Sequence, residues 1–166
     1  MSAAAWVEPE MAGVVWTRTS RETPVARPAL ADDLECDLVI VGGGYLGLTT
    51  ALQAAGNGAG VVLLETGTVG AGASGRNGGF VVPHFPGALR PSQVERRLGP
   101  RKGAALNQLV AEGPDRVAEL VRVHGIASDC RQHGWIQPGH SAAALARVRG
   151  SYEDWKISEL SILDKQ

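Results

Sequence analysis

The stretch Asp37-Leu38-Val39-Ile40-Val41-Gly42-Gly43-Gly44-Tyr45-Leu46-Gly47 decides the fold of this chain. It opens with an apolar, β-branched run, which is typical of a strand buried on both faces of a sheet. Three of the glycines that follow have the spacing G-x-G-x-x-G, and the small residues at 46–55 predict a helix. A second apolar run at Val61–Leu64 predicts the next strand, so the pattern indicates a βαβ unit.

Each glycine of the G-x-G-x-x-G motif has a physical role that a larger residue could not fill. Gly42 allows a tight turn off the strand, Gly44 lets the backbone approach a pyrophosphate, and Gly47 lets the helix pack closely on the strand. The start of the helix then offers N–H groups and the positive end of its dipole to phosphates. The predicted cofactor-binding residues of this segment are Gly42, Gly44, Tyr45, Leu46 and Gly47.

Glu65 directly follows the second predicted strand. A carboxylate at this point of a dinucleotide-binding fold accepts hydrogen bonds from the adenosine ribose hydroxyls. No arginine or lysine follows Glu65 until Arg76, so a 2′-phosphate would meet a carboxylate without a nearby cation. The sequence therefore disfavours NADP and leaves FAD and NAD as candidates.

A polar, glycine-rich loop at residues 70–79 separates these two candidates. Its backbone N–H groups, hydroxyl, amide and guanidinium suit a pyrophosphate and the polar edge of a flavin ring. An NAD-binding domain leaves most of this loop without a role. The loop's predicted cofactor-binding residues are Ser74, Arg76, Asn77, Gly78 and Gly79.

The residues from Val39 to Gly79 together resemble the D-amino acid oxidase-like family of FAD-dependent oxidoreductases. Within that family, the run G-A-S-G-R-N-G-G is similar to a signature of the γ-glutamylputrescine oxidase-like branch. Residues 129–138 resemble the strand that leads into the second domain of that branch. The resemblance begins at about Arg27 and covers only the N-terminal portion of such an enzyme.

This resemblance implies an α/β fold: a Rossmann-like FAD-binding domain with the beginning of a second, substrate domain, apparently truncated. It implies oxidation of the C–N bond of a small amine or amino acid by hydride transfer to flavin, with oxygen as acceptor. Some relatives attach flavin through a histidine in the loop where this chain has Arg76 and Asn77, so non-covalent FAD is expected. No catalytic residue is assigned.

The chain is expected to have three parts. Residues 1–35 form an irregular, proline-containing arm in which Trp6 and Trp16 could dock on the domain surface. Residues 36–128 form the FAD-binding portion with a helical insertion, and residues 129–166 begin the substrate domain.

Helices are predicted at Pro91–Leu98, across an apolar pattern at 106–121, and at 141–155. The second of these should break or kink at Gly113 and Pro114. Its apolar positions should lie in the core: Leu106, Leu109, Val110, Val117, Leu120 and Val121. Strands are predicted at 130–136 and near 160–163.

The charge, hydrophobic content and cysteine count of the chain limit the classes of protein to which it could belong. A net charge of -1, with 44% hydrophobic and 20% charged residues, predicts one soluble domain with a real core. It gives no reason to expect nucleic acid or an anionic membrane as a partner. Cys36 and Cys130 are too few and too far apart for a disulfide framework or a metal site, which favours a cytoplasmic protein. The first residues have neither a signal-peptide pattern nor a membrane span.

Two other functions stay open at this point. A nicotinamide-binding dehydrogenase domain would account for Gly42 to Glu65. A non-catalytic remnant of a truncated or split gene would account for the missing second half, which in the resembled family supplies the substrate cage.

Overall fold

The computed structural model describes residues 13–21, 23 and 25–155, without the side chain of Ala88. Two compact units make up the chain, one within Met1–Phe80 and the other within Val81–Gln166. The predicted functional boundaries after residues 35 and 128 remain predictions. The α-helices and strands, in chain order, are α1 Val15–Thr19, β1 Leu38–Val41, α2 Tyr45–Gly56, β2 Val61–Leu64, α3 Pro91–Leu98, α4 Pro100–Ala111, α5 Gly113–Val123 and α6 Ala142–Trp155, and two short 3-10 helices span Ala73–Gly75 and Pro86–Ala88.

The first unit contains the predicted βαβ arrangement. β1 and β2 pair in parallel, with Leu38 opposite Val61 and Val41 opposite Leu64. A parallel pair needs a crossover connection, and α2 supplies it. The predicted helix and both strands are confirmed, with the helix one residue longer at each end.

The expectation that β1 is buried on both faces is wrong. Ile40 faces α2, since a Cβ placed on Gly47 of that helix would lie 3.3 Å from Ile40 Cγ2. Val39 and Val41 point the other way, and they are 54% and 83% exposed. Among the described residues the sheet has two strands and is covered on the α2 side, so alternate residues of β1 remain exposed.

In the second unit, α3 and α4 form a helical hairpin. Gly99 connects α3 to α4 with φ +79°, a backbone conformation that glycine adopts without strain. Gly103 brings the two helices together, since a Cβ there would lie 2.4 Å from Glu95 Cα. Asn107 adds hydrogen bonds from its Nδ2 to the Pro91 carbonyl, at 3.1 Å, and to Glu95 Oε1, at 3.0 Å.

The predicted kink at Gly113 and Pro114 is confirmed, because α4 ends at Ala111 and α5 begins at Gly113. Proline has no N–H to continue the helical ladder and is tolerated in the first turn of a new helix. The predicted core positions of this pattern are wrong, since none of the six is buried: Leu109 and Val117 are 54% and 40% exposed, and the other four are half-buried. The described residues cover α4 mainly on its α3 side, which carries Gly103 and Asn107.

The predicted helix at 141–155 is confirmed by α6. Ser141 Oγ accepts a hydrogen bond from the Ala144 N–H at 3.2 Å, so the hydroxyl satisfies one of the first N–H groups of α6. At the other end, Trp155 stacks on Phe85 with 5.2 Å between ring centroids. Asp154 accepts a hydrogen bond from the Ser92 hydroxyl at 2.8 Å, which ties α6 to α3.

The predicted strand at 130–136 is wrong. Residues 129–138 contain no strand and are exposed throughout. A strand needs a neighbour for its backbone hydrogen bonds, and no described segment pairs with this one. Its side chains contact Tyr152 of α6 instead. The ring of Trp135 packs against that of Tyr152, and Gln137 Oε1 accepts a hydrogen bond from the Tyr152 hydroxyl. The strand predicted near 160–163 and Trp6 of the arm lie outside the described residues.

No helix in the described ranges is both long enough and apolar enough to cross a membrane.

The α3–α4 contact generates a stability prediction. Gly103→Ala should lower the free energy of unfolding by about 1–3 kcal/mol, because the new methyl group would collide with the α3 backbone. Gly113→Ala is the matched control, since a Cβ at Gly113 meets nothing within 4 Å, and it should be neutral or slightly stabilising. Urea unfolding followed by circular dichroism measures both, and equal effects would contradict the packing described.

Candidate cofactor site

The glycine loop joins β1 to α2 through a turn that only glycine accommodates well. Gly42 has φ +105°, and a Cβ there would meet nothing within 4 Å, so the space above this residue is open. A Cβ on Gly47 would lie 1.9 Å from the Gly42 carbonyl oxygen. The roles predicted for these two glycines, tight turn and close helix packing, are confirmed.

Backbone N–H groups converge at the start of α2. Within the described residues, the N–H groups of Gly44, Leu46 and Gly47 have no hydrogen-bond acceptor. They lie at the positive end of the helix dipole, which favours an anionic ligand. This donor set, together with the open space above Gly42, fits the pyrophosphate of a dinucleotide.

A groove of about 520 Å³ lies at the end of β1 and the start of α2. Six predicted cofactor-binding residues line it: Gly42, Gly44, Tyr45, Leu46, Gly47 and Ser74. Residues of β1 and Thr50 of α2 complete the lining. The groove therefore combines an apolar strand surface with free N–H donors, as expected for a nucleotide cofactor.

Glu65 lies against the glycine loop. Its Oε2 accepts a hydrogen bond from the Gly43 N–H at 2.6 Å, and its Oε1 accepts from the Gly67 N–H at 3.1 Å. These two hydrogen bonds lower the pKa of the Glu65 carboxyl below its ordinary value of 4.5, and the bond from Gly43 has the larger effect. Hydrogen bonds from the backbone and side chain of Thr66 lower the pKa of this carboxyl further. The carboxyl is therefore ionised at neutral pH.

Gly43 acquires a role that the motif spacing did not assign to it. Gly43 is buried, and a Cβ there would lie 3.2 Å from Glu65 Oε2 and 3.3 Å from Val69 Cγ2. A side chain would press on the carboxylate that binds the Gly43 N–H. The additional glycine is thus explained by the approach of Glu65.

Ser74 brings the loop at residues 70–79 to the start of α2. Its Oγ accepts a hydrogen bond from the Tyr45 N–H at 3.0 Å. A Cβ on Gly44 would lie only 2.9 Å from the same oxygen. A side chain at Gly44 would therefore displace the Ser74 hydroxyl, in addition to the predicted obstruction of a pyrophosphate.

Asn77 holds the shape of the same loop. Its Nδ2 donates to the Ser74 carbonyl at 2.7 Å and to the Tyr45 hydroxyl at 3.3 Å. Its Oδ1 accepts from the Gly79 N–H at 2.8 Å. Arg76 Nε donates to the Ala71 carbonyl at 2.9 Å, within its own loop.

The predicted site residues thus fall into two groups. Six line the groove, whereas five lie outside its lining: Glu65, Arg76, Asn77, Gly78 and Gly79. Glu65 and Asn77 support the groove through Gly43, Tyr45 and Ser74. Their direct contact with a cofactor remains a prediction.

Sequence reasoning missed Thr50 and the contact of Trp16 with the loop at residues 70–79. Thr50 lies three residues after Gly47 on α2, so helical spacing from the last glycine could have indicated it. Trp16 Nε1 donates to the Asn77 carbonyl at 2.8 Å. The docking of Trp16 expected from the sequence is confirmed, but no local pattern predicts a partner 61 residues away.

The Glu65 contacts generate a pH prediction. Because folding lowers the pKa of this carboxyl, its stabilising contribution is present above pH 4.5 and is lost as the pH falls through the lower folded-state value. Glu65→Gln should therefore unfold more easily at pH 7, and its difference from the wild type should shrink on acidification. Glu153→Gln, which removes an exposed carboxylate on α6, is the control for loss of one charge. Urea titrations at several pH values measure this, and a pH-independent difference would contradict it.

Comparisons with known proteins identify the family of this chain. The family model described as FAD dependent oxidoreductase (DAO) matches residues 37–166. The chain is 32% identical over 137 residues to Gamma-glutamylputrescine oxidoreductase of Escherichia coli (strain K12), covering 81% of this chain and 32% of that protein. It is 41% identical over 168 residues to Probable oxidoreductase OrdL of Rhizobium meliloti (strain 1021), covering 97% of this chain and 38% of that protein.

The chain spans about a third of the length of these curated relatives. No solved structure matches it significantly. The family match nevertheless covers most of the chain, including β1, the glycine loop, Glu65 and the loop at residues 70–79. The chain belongs to the DAO family of FAD-dependent oxidoreductases.

Proposed function

We propose that this chain is the FAD-binding portion of an oxidoreductase that oxidises the C–N bond of an amine or amino acid. One observation carries the cofactor assignment: the loop at residues 70–79 packs on the start of α2 through Ser74, beside the free N–H groups of the glycine loop. The family match supports FAD as the cofactor. A relative named for γ-glutamylputrescine supports an amine as the substrate class.

In this proposal the backbone of the glycine loop binds the pyrophosphate. The N–H groups of Gly44, Leu46 and Gly47 would donate to phosphate oxygens, and the open space at Gly42 would admit them. Glu65 would accept from a ribose hydroxyl while it continues to hold Gly43. The N–H groups and the positive end of the α2 dipole would supply the positive potential that the phosphates need.

Ser74, Arg76 and Asn77 are proposed to lie beside the more distant part of the cofactor. Residues 70–79 contain no histidine, which supports non-covalent binding. Bound FAD would supply the redox chemistry, accepting a hydride from the carbon next to nitrogen and passing electrons to oxygen. The residues of this chain would bind and orient it, and no catalytic acid or base is assigned among them.

A cytoplasmic location is part of the same proposal. Cys36 and Cys130 are both free thiols. Reduced cysteines are usual in proteins of the cytosol.

Titration with cofactors tests the proposal and separates it from an NAD-binding domain. FAD should bind the purified chain, and this binding should quench the fluorescence of its flavin ring. NAD at equal concentration should not displace the bound FAD. Gly44→Ala should weaken FAD binding by about tenfold or more, which corresponds to roughly 1.4 kcal/mol, because the methyl group occupies the approach to the loop and displaces Ser74.

Gly56→Ala is the matched control. It adds the same methyl group at the other end of α2, where a Cβ would meet nothing within 4 Å, so FAD affinity should not change. Displacement of FAD by NAD at equal concentration would favour the alternative hypothesis of a nicotinamide-binding dehydrogenase domain. Binding of neither cofactor by a chain that is folded by circular dichroism would favour a non-catalytic remnant.

A further inference from the structure

The arm that precedes β1 reaches the loop at residues 70–79. Trp16, on the short helix α1, donates a hydrogen bond from Nε1 to the Asn77 carbonyl at 2.8 Å. Its ring also covers Gly79, since a Cβ on that glycine would lie 2.7 Å from Trp16 Cζ2 and 2.8 Å from Cη2. The indole is 43% exposed, so one side contacts the loop and the other faces solvent.

The loop at residues 70–79 needs contacts from outside itself to adopt one ordered conformation. Five of its ten residues are glycine, and glycine loses more backbone freedom on ordering than any other residue. Gly79 adopts φ +73°, in the left-handed region. Contacts from outside the loop offset this entropy, and Trp16 provides both a hydrogen bond and an aromatic surface.

Asn77 transmits this support to the groove. Its backbone carbonyl accepts from Trp16, and its side-chain Nδ2 donates to the Ser74 carbonyl and to the Tyr45 hydroxyl. Ser74 in turn accepts from the Tyr45 N–H at the start of α2. An unbroken series of hydrogen bonds therefore joins Trp16 to a residue that lines the groove.

We propose that Trp16 is a positioning residue of the cofactor site, which holds the turn from Asn77 to Gly79 so that Ser74 lies at the start of α2. Its effect on FAD binding rests on the function proposed above. The ordering of the loop by Trp16 does not require a bound cofactor. The arm is accordingly a part of the site rather than a passive leader to β1.

Hydrogen exchange on the full chain without cofactor tests the ordering. The Gly79 N–H donates to Asn77 Oδ1, so its exchange reports whether the turn is held. Trp16→Ala should speed this exchange by about tenfold, which corresponds to roughly 1.4 kcal/mol. Trp16→Phe keeps an aromatic surface without the N–H donor and should restore part of the protection. Val15→Ala, on the same helix at a side chain that is 55% exposed, should leave the exchange unchanged.

A pair of substitutions tests the contact itself. Gly79→Ala should lower the urea midpoint in the wild type, because the methyl group meets the indole and the residue has a positive φ. In the Trp16→Ala background the collision is absent, so Gly79→Ala should lower the midpoint less. Equal decreases in the two backgrounds would overturn the docking of Trp16 on Gly79.

FAD titration of the same variants tests the functional part. Trp16→Ala should weaken FAD binding by about tenfold, Trp16→Phe by less, and Val15→Ala not at all. Unchanged Gly79 exchange and unchanged FAD affinity in Trp16→Ala would overturn this inference and leave the proposed function intact. A wild-type chain that binds no FAD would overturn the proposed function, whereas faster Gly79 exchange in Trp16→Ala would still support the ordering of the loop.

Discussion

The close approach of Gly47 to the Gly42 carbonyl is the constraint on which the cofactor site depends. A Cβ at Gly47 would lie 1.9 Å from that oxygen, so no side chain fits between the end of β1 and the first turn of α2. This approach leaves the N–H groups of Gly44, Leu46 and Gly47 at the mouth of the groove. Glu65 and Ser74 then contact the same turn from β2 and from the loop that follows it.

Much of this unit could be predicted from the sequence because its determinants are local. The apolar runs and the glycine spacing predicted the βαβ unit and five residues that line the groove, and the glycine-rich loop at residues 70–79 added Ser74. In the second unit, Pro114 predicted the break between α4 and α5 for an equally local reason. A proline removes one N–H wherever the rest of the chain lies.

The features that sequence reasoning missed depend on distant parts of the chain. Val39 and Val41 carry a buried-strand pattern, but their burial depends on what covers the second face of the sheet. Residues 129–138 alternate as a strand does, yet pairing needs a neighbour, and the described residues contact α6 there instead. Trp16 contacts Asn77 across 61 residues, a distance that no local periodicity encodes.

The most direct test of the account is a visible absorption spectrum of the purified chain after incubation with FAD and gel filtration. We expect flavin absorbance bands to elute with the protein, because the backbone donors at the start of α2 and the loop that contacts Trp16 would bind the cofactor without a covalent link. Protein that is folded by circular dichroism but elutes without flavin absorbance would contradict it.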